Sequence, residues 1–129
     1  MENISIEATT KTPTVILNAQ QGLIEIKGVS IPEDAESFYR PLLDWLNEYV
    51  ATTKLKKTIF SIKLIYFNTS TSDYIVGMMK KLKQLTNKKH EIIVRWYYEE
   101  EDEDMRDTGS HFQVIADLPF EFIPSKDIA

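Results

Sequence analysis

Strands and helices alternate along this chain, and the pattern predicts an α/β domain with the element order ββαβαβαβ. Two short apolar runs joined by the turn "AQQG" open the chain as a hairpin. Later stretches carry apolar residues at three- and four-residue steps, the signature of amphipathic helices. Between them lie dense runs of Ile, Val, Phe and Tyr, the composition of buried strands. We expect a mixed sheet of about four to five strands packed by about three helices. Strand–helix–strand connections imply right-handed crossovers and a partly parallel sheet, in which sites form at the carboxyl ends of the strands.

The hairpin is "TVILN" (Thr14–Asn18) and "LIEIKG" (Leu23–Gly28), the second with the period-two alternation of a half-buried strand. "SIPEDAESFYRPLLDWLNEYV" reads as the first helix. Ser30 and Glu33 have the spacing of a capping box, and Pro32 falls in the first turn, where its missing N–H costs nothing. Ala35, Phe38, Tyr39, Leu42, Leu43, Leu46, Tyr49 and Val50 form its apolar face, and Pro41 should bend or divide it. "KTIFSIKLIYF" (Lys57–Phe67) is a long central strand. A second helix runs from about Ser70 to Leu85 with Tyr74 or Ile75, Met78, Met79, Leu82 and Leu85 inward. "HEIIVRWYY" (His90–Tyr98) is a further strand. The third helix covers Asp102–Ala116 with Met105, Phe112 and Ile115 inward, weakened at Gly109, and "FEFI" (Phe120–Ile123) closes the sheet.

The length, 129 residues, suits one domain, with residues 1–8 loosely held and 124–129 as a tail. With 43% hydrophobic residues the chain can build a core. It has no cysteine, which removes disulfides, thiolate nucleophiles and cysteine-based zinc sites and fits a reducing cytoplasm. The start of the chain has neither the basic nor the apolar region of a signal peptide, and no apolar run approaches a membrane span. We therefore expect a cytoplasmic protein with no membrane partner. A net charge of -5 argues against nucleic acid, whose affinity rests on neutralised phosphates. Lys54, Lys56 and Lys57, and then Lys80, Lys81, Lys83, Lys88 and Lys89, read as solvated surface lysines.

Chemistry concentrates in "LIYFNTSTSDY", where a strand turns into a helix through Asn68, Thr69, Ser70, Thr71 and Ser72. One hydroxyl should cap the helix. The rest can simply fill the turn; the functional alternative is a phosphorylation site, because a phosphate at a helix N-terminus meets free N–H donors and a favourable dipole. Serine catalysis would need glycine-flanked geometry and a histidine base. No glycine flanks the cluster, and the chain has only His90 and His111. The acidic run "EEEDED" (Glu99–Asp104) lacks the pattern of a calcium loop and suits a helix start. Arg95, Trp96, Tyr97 and Tyr98 suit core or interface packing. No cofactor or metal is expected.

Four segments in order resemble the SiaC family of bacterial regulatory phosphoproteins. They are "TTKTPTVILN", "GVSIPEDAESFYRPLLDWLNEYV" with its "DW" pair Asp44 and Trp45, "LIYFNTSTS", and "VRWYYEEEDEDM". The resemblance implies a STAS-like fold, that of anti-sigma-factor antagonists, and a switch protein rather than an enzyme. It implies phosphorylation on the threonine of the N-T-S turn, here Thr69, by a serine/threonine kinase, and removal of the phosphate by a metal-dependent PPM-type phosphatase. It further implies that the unphosphorylated form binds and activates a diguanylate cyclase, raising cyclic di-GMP and promoting biofilm formation. The partner would dock around the turn, where Tyr66, Asp73 and Tyr74 are the expected contributors. A reading from another class is a small-molecule or nucleotide-binding module using the same strand-end cleft.

Overall fold

Apolar residues at alternate positions give each strand one oily face. In the computed structural model, which describes residues 1–128, these faces join in one six-stranded sheet. The strands are β1 (Ile4–Ile6), β2 (Thr14–Asn18), β3 (Leu23–Ser30), β4 (Lys57–Phe67), β5 (Glu91–Glu99) and β6 (Phe120–Ser125), side by side in chain order. β1, β2 and β3 are antiparallel, and β3 through β6 are parallel. The crossovers between the parallel strands are α1 (Ala35–Thr52), α2 (Thr69–Lys83) and α3 (Glu103–Ala116), with a short 3-10 turn, Gln84–Lys88, after α2. The core lies between the helices and the face of Val15, Leu17, Ile24, Ile26, Phe60, Ile62, Val94 and Trp96.

The α/β class and three helices agree with the expectation, but the strand count and order do not. Six strands replace four to five, and the order is βββαβαβαβ. The added β1 has only three residues, too few to show a period in sequence. It is held by pairing with β2, by packing of Ile4 and Ile6 on the core, and by the Trp45 indole, which donates to the Glu2 carbonyl at 2.7 Å.

Helix details differ as well. Ser30 is not a cap but the last residue of β3, and Pro32 precedes the helix. The cap of α1 is Asp34, whose carboxylate accepts from the Ser37 N–H at 3.1 Å and the Ser37 hydroxyl at 2.7 Å. Those two bonds hold the Asp34 carboxyl below its usual pKa. α1 runs through Pro41 as one helix, with the proline at the exposed surface. Ile115 points outward at 53% exposure, while Phe112 and Ala116 take the inward face of α3.

Two backbone features shape the end of the sheet where the chemistry-bearing turn lies. The β3–β4 register slips after Gly28: Gly28 faces Leu64, yet Val29 faces Tyr66, so Ile65 is bulged out. A bulge resets which face later residues occupy. Tyr66 is thereby left 58% exposed, while Phe67 turns inward against Trp96 and Phe112. Gly109 lets α3 sit directly on the buried Trp96 ring, since a Cβ there would lie 2.6 Å from the indole nitrogen. That indole donates to the Met105 carbonyl at 3.0 Å.

Candidate functional site at the start of the second helix

β4 ends at Phe67, and the chain turns into α2 within a single residue, Asn68. Asn68 is extended, with φ -95 and ψ 175, as a helix cap requires. Its side-chain oxygen accepts from the Thr71 N–H and from the Ser70 hydroxyl, both at 3.0 Å. The cap is therefore the amide and not one of the hydroxyls. Its own N–H donates to the Ser30 carbonyl at 3.2 Å, tying the turn to the end of β3.

The four hydroxyls meet four different environments. Thr71 is fully buried. Its hydroxyl donates to the Ser30 carbonyl at 3.0 Å and lies 2.8 Å from the Ser30 hydroxyl, which in turn lies 2.6 Å from the Tyr39 hydroxyl. This closed cluster pins β3, α1 and α2 together, and burial raises the Tyr39 pKa. Ser70 is exposed but bonded to the cap. Ser72 is half-buried, with its hydroxyl 3.5 Å from the Asn68 carbonyl. Thr69, the first residue of α2, is exposed, and among the described residues its hydroxyl has no hydrogen-bond partner.

Residues 6–125 match the model of the SiaC family regulatory phosphoproteins. The chain belongs to the SiaC family. It is 22% identical over 120 residues to an uncharacterized protein of Pseudomonas aeruginosa strain UCBPP-PA14, covering 93% of this chain and 94% of that one. Its fold is similar to that of apo-SiaC from Pseudomonas aeruginosa, with TM-score 0.85, 21% identity, and coverage of 95% of this chain and 99% of that one. It is similar also to a chain in the crystal structure of the diguanylate cyclase SiaD in complex with its activator SiaC, from the same organism, with TM-score 0.88, 21% identity and the same coverage.

In this SiaC-family chain the Thr69 turn forms one wall of an open groove of about 460 Å³. Tyr66, Asn68, Thr69 and Ser72 line one side, and Asp102, Asp104, Met105 and Thr108 of the α3 start line the other. Asp102 caps α3, accepting from the Met105 N–H at 3.0 Å. Asp104 follows in the first turn of α3, where acids suit the helix dipole. No lysine or arginine is among its lining residues. Among the described residues, no three His, Asp or Glu side chains gather as metal ligands would.

The expected docking residues divide between two sides of α2. Tyr66 shares the groove with Thr69. Tyr74 lies on the α1 side, stacked on Tyr39 at 5.2 Å between ring centres, and donates its hydroxyl to Glu36. That bond to Glu36 raises the Tyr74 pKa, and Arg40 first, then Tyr74, holds the Glu36 carboxyl low. Asp73 is exposed beside them. The buried partners Ser30 and Tyr39 and the opposing wall from α3 are absent from the sequence reading. Ser30 fits a cap pattern equally well, and only the fold brings α3 alongside.

Proposed function

We propose that this SiaC-family protein is a non-enzymatic switch, phosphorylated on Thr69 by a serine/threonine kinase and reset by a PPM-type phosphatase. The observation that carries the reading is the contrast among the four hydroxyls. Thr69 alone combines exposure with a hydroxyl that has no hydrogen-bond partner among the described residues. A kinase can reach it without opening the fold. The unmodified form binds an effector, and by analogy with the SiaD–SiaC complex that effector is a diguanylate cyclase.

The groove explains how one phosphate could act. Phosphorylation adds about 1.5 to 2 negative charges near pH 7. Here they enter a groove that already holds Asp102 and Asp104 and has no basic side chain in its lining. The α2 N-terminus supplies partial compensation, so the fold tolerates the group. An approaching effector, however, must desolvate an unpaired dianion or repel it, which costs several kcal/mol. Each ~1.4 kcal/mol weakens binding about tenfold.

The test begins with peptide mass spectrometry of the protein from its native host, with and without the phosphatase. A single phosphate on Thr69 is expected. The affinity of unmodified, phosphorylated and Thr69→Val protein for the purified cyclase follows. Phosphorylation should weaken binding at least about tenfold, with Thr69→Val behaving as the unmodified form. A phosphate found only on Ser70, or equal affinity of all three forms, would refute the reading.

A further inference from the structure

The fold gathers charges that the sequence scatters. Glu91 N–H donates to the Lys56 carbonyl at 2.8 Å, and Lys88 Nζ reaches the Val50 carbonyl at 3.4 Å. The loop after α1 and the loop before β5 therefore lie side by side. They bring Lys54, Lys56 and Lys57 together with Lys88 and Lys89, all exposed, at the amino ends of β4 and β5. Only Lys57 of these five faces an acid, Glu91 at 3.9 Å. Among the described residues Lys54, Lys56 and Lys89 have no ion-pair partner. The run Glu99–Asp104 and the Thr69 turn stand at the opposite, carboxyl ends of the strands.

We infer that this lysine pole is an electrostatic docking surface for an anionic lipid bilayer. Three features select that partner. First, every cation in the patch is a lysine: point charges without the arginine fork that reads phosphates bidentately. Second, no aromatic side chain stands between the lysines to stack on bases, so a nucleic acid gains nothing specific. Third, the poles act separately. β4 has 11 residues and spans about 36 Å at ~3.3 Å per residue, several times the ~8 Å screening length at physiological salt. The expectation of no membrane partner rested on the lack of an apolar span, which peripheral binding does not need, and the net charge of -5 averages over two ends that a surface feels one at a time. Binding by this pole would point Thr69 away from the bilayer and leave it open to soluble partners.

The test is co-sedimentation of the full chain with phosphatidylcholine vesicles, with and without phosphatidylglycerol, at low and at high salt. Binding is expected only with the anionic lipid, weakening steeply with salt. Each lysine of the pole changed to glutamine should lower partitioning about fivefold. The combined Lys54→Gln, Lys56→Gln, Lys88→Gln, Lys89→Gln protein should remain in the supernatant. Lys27→Gln and Lys126→Gln, away from the pole, should bind as wild type. The same denaturation midpoint in all variants shows that folding is not the cause. Wild-type protein left in the supernatant, binding indifferent to the four substitutions, or retention by duplex RNA or polyglutamate but not by vesicles would each overturn the inference.

Discussion

Thr69 and Thr71 have the same side chain and stand two residues apart, yet the fold treats them oppositely. One hydroxyl is free at the surface, and the other is sealed between Ser30 and Tyr39. Thr71→Val keeps the shape and removes the bond to the Ser30 carbonyl, so it should lower stability by about 1–3 kcal/mol. Thr69→Val should stay within about 0.5 kcal/mol of wild type. Urea denaturation of the two variants checks the asymmetry, and equal losses would mean that the buried cluster is not what holds the turn. The sequence showed a run of hydroxyls at a strand–helix junction and the place of Thr69 in it. It could not say which was buried, because the inward face was open between Tyr74 and Ile75, and only with Ile75 inward does Thr71, four residues earlier, fall on the core side. The cap was equally open, since the capping rules rank Asn beside Ser.

At the scale of elements, the least legible feature is where a helix touches its neighbour. Gly109 reads as a weak point in α3, whereas it is the contact that seats the helix on Trp96. Gly109→Ala gains about 1 kcal/mol of helix propensity. It also forces a methyl against a rigid, fully buried indole, and overpacking costs about 1–3 kcal/mol. A net loss is expected, read as a lower urea midpoint with an altered Trp96 fluorescence spectrum. A stabilised Gly109→Ala protein would show that α3 can shift freely. Ile115 illustrates the same limit. Periodicity gives a helix its apolar stripe but not the exact edge of the stripe, which depends on how closely the helix approaches the sheet. The strongly patterned elements, β4 and α2, needed no such knowledge and were legible throughout their centres.

Across the whole molecule, the alternation of strand and helix was readable because each crossover is long and strongly periodic. β1 and the joining of two lysine groups at one pole were not, since both depend on segments meeting that are remote in sequence. His90 is a further meeting of that kind. It is 5% exposed at the lysine pole, with its Nε2 2.7 Å from the Thr58 hydroxyl, which itself lies 2.6 Å from the Tyr49 hydroxyl. Three elements, α1, β4 and the entrance to β5, are thereby joined. Burial lowers the His90 pKa below its ordinary 6.5, Lys56 adds to the effect, and a hydrogen bond with the Leu55 backbone opposes it. The folded chain thus resists a proton that the unfolded chain accepts. Well above pH 6.5 neither state is protonated and the shift contributes nothing. As the pH falls through 6.5 the unfolded state gains protons first, and stability declines until folded His90 also titrates. The carboxylates Glu33, Asp34 and Glu36, held low by their partners, contribute stability that is constant above their ordinary values of 4.5 and 3.8 and is lost only as the pH falls below them, a separate window. Urea midpoints between about pH 8 and about pH 5.5 should therefore fall for wild type and stay nearly level for His90→Gln. Parallel declines in both proteins would assign the acid sensitivity to other groups and leave the Tyr49–Thr58–His90 chain a purely structural tie.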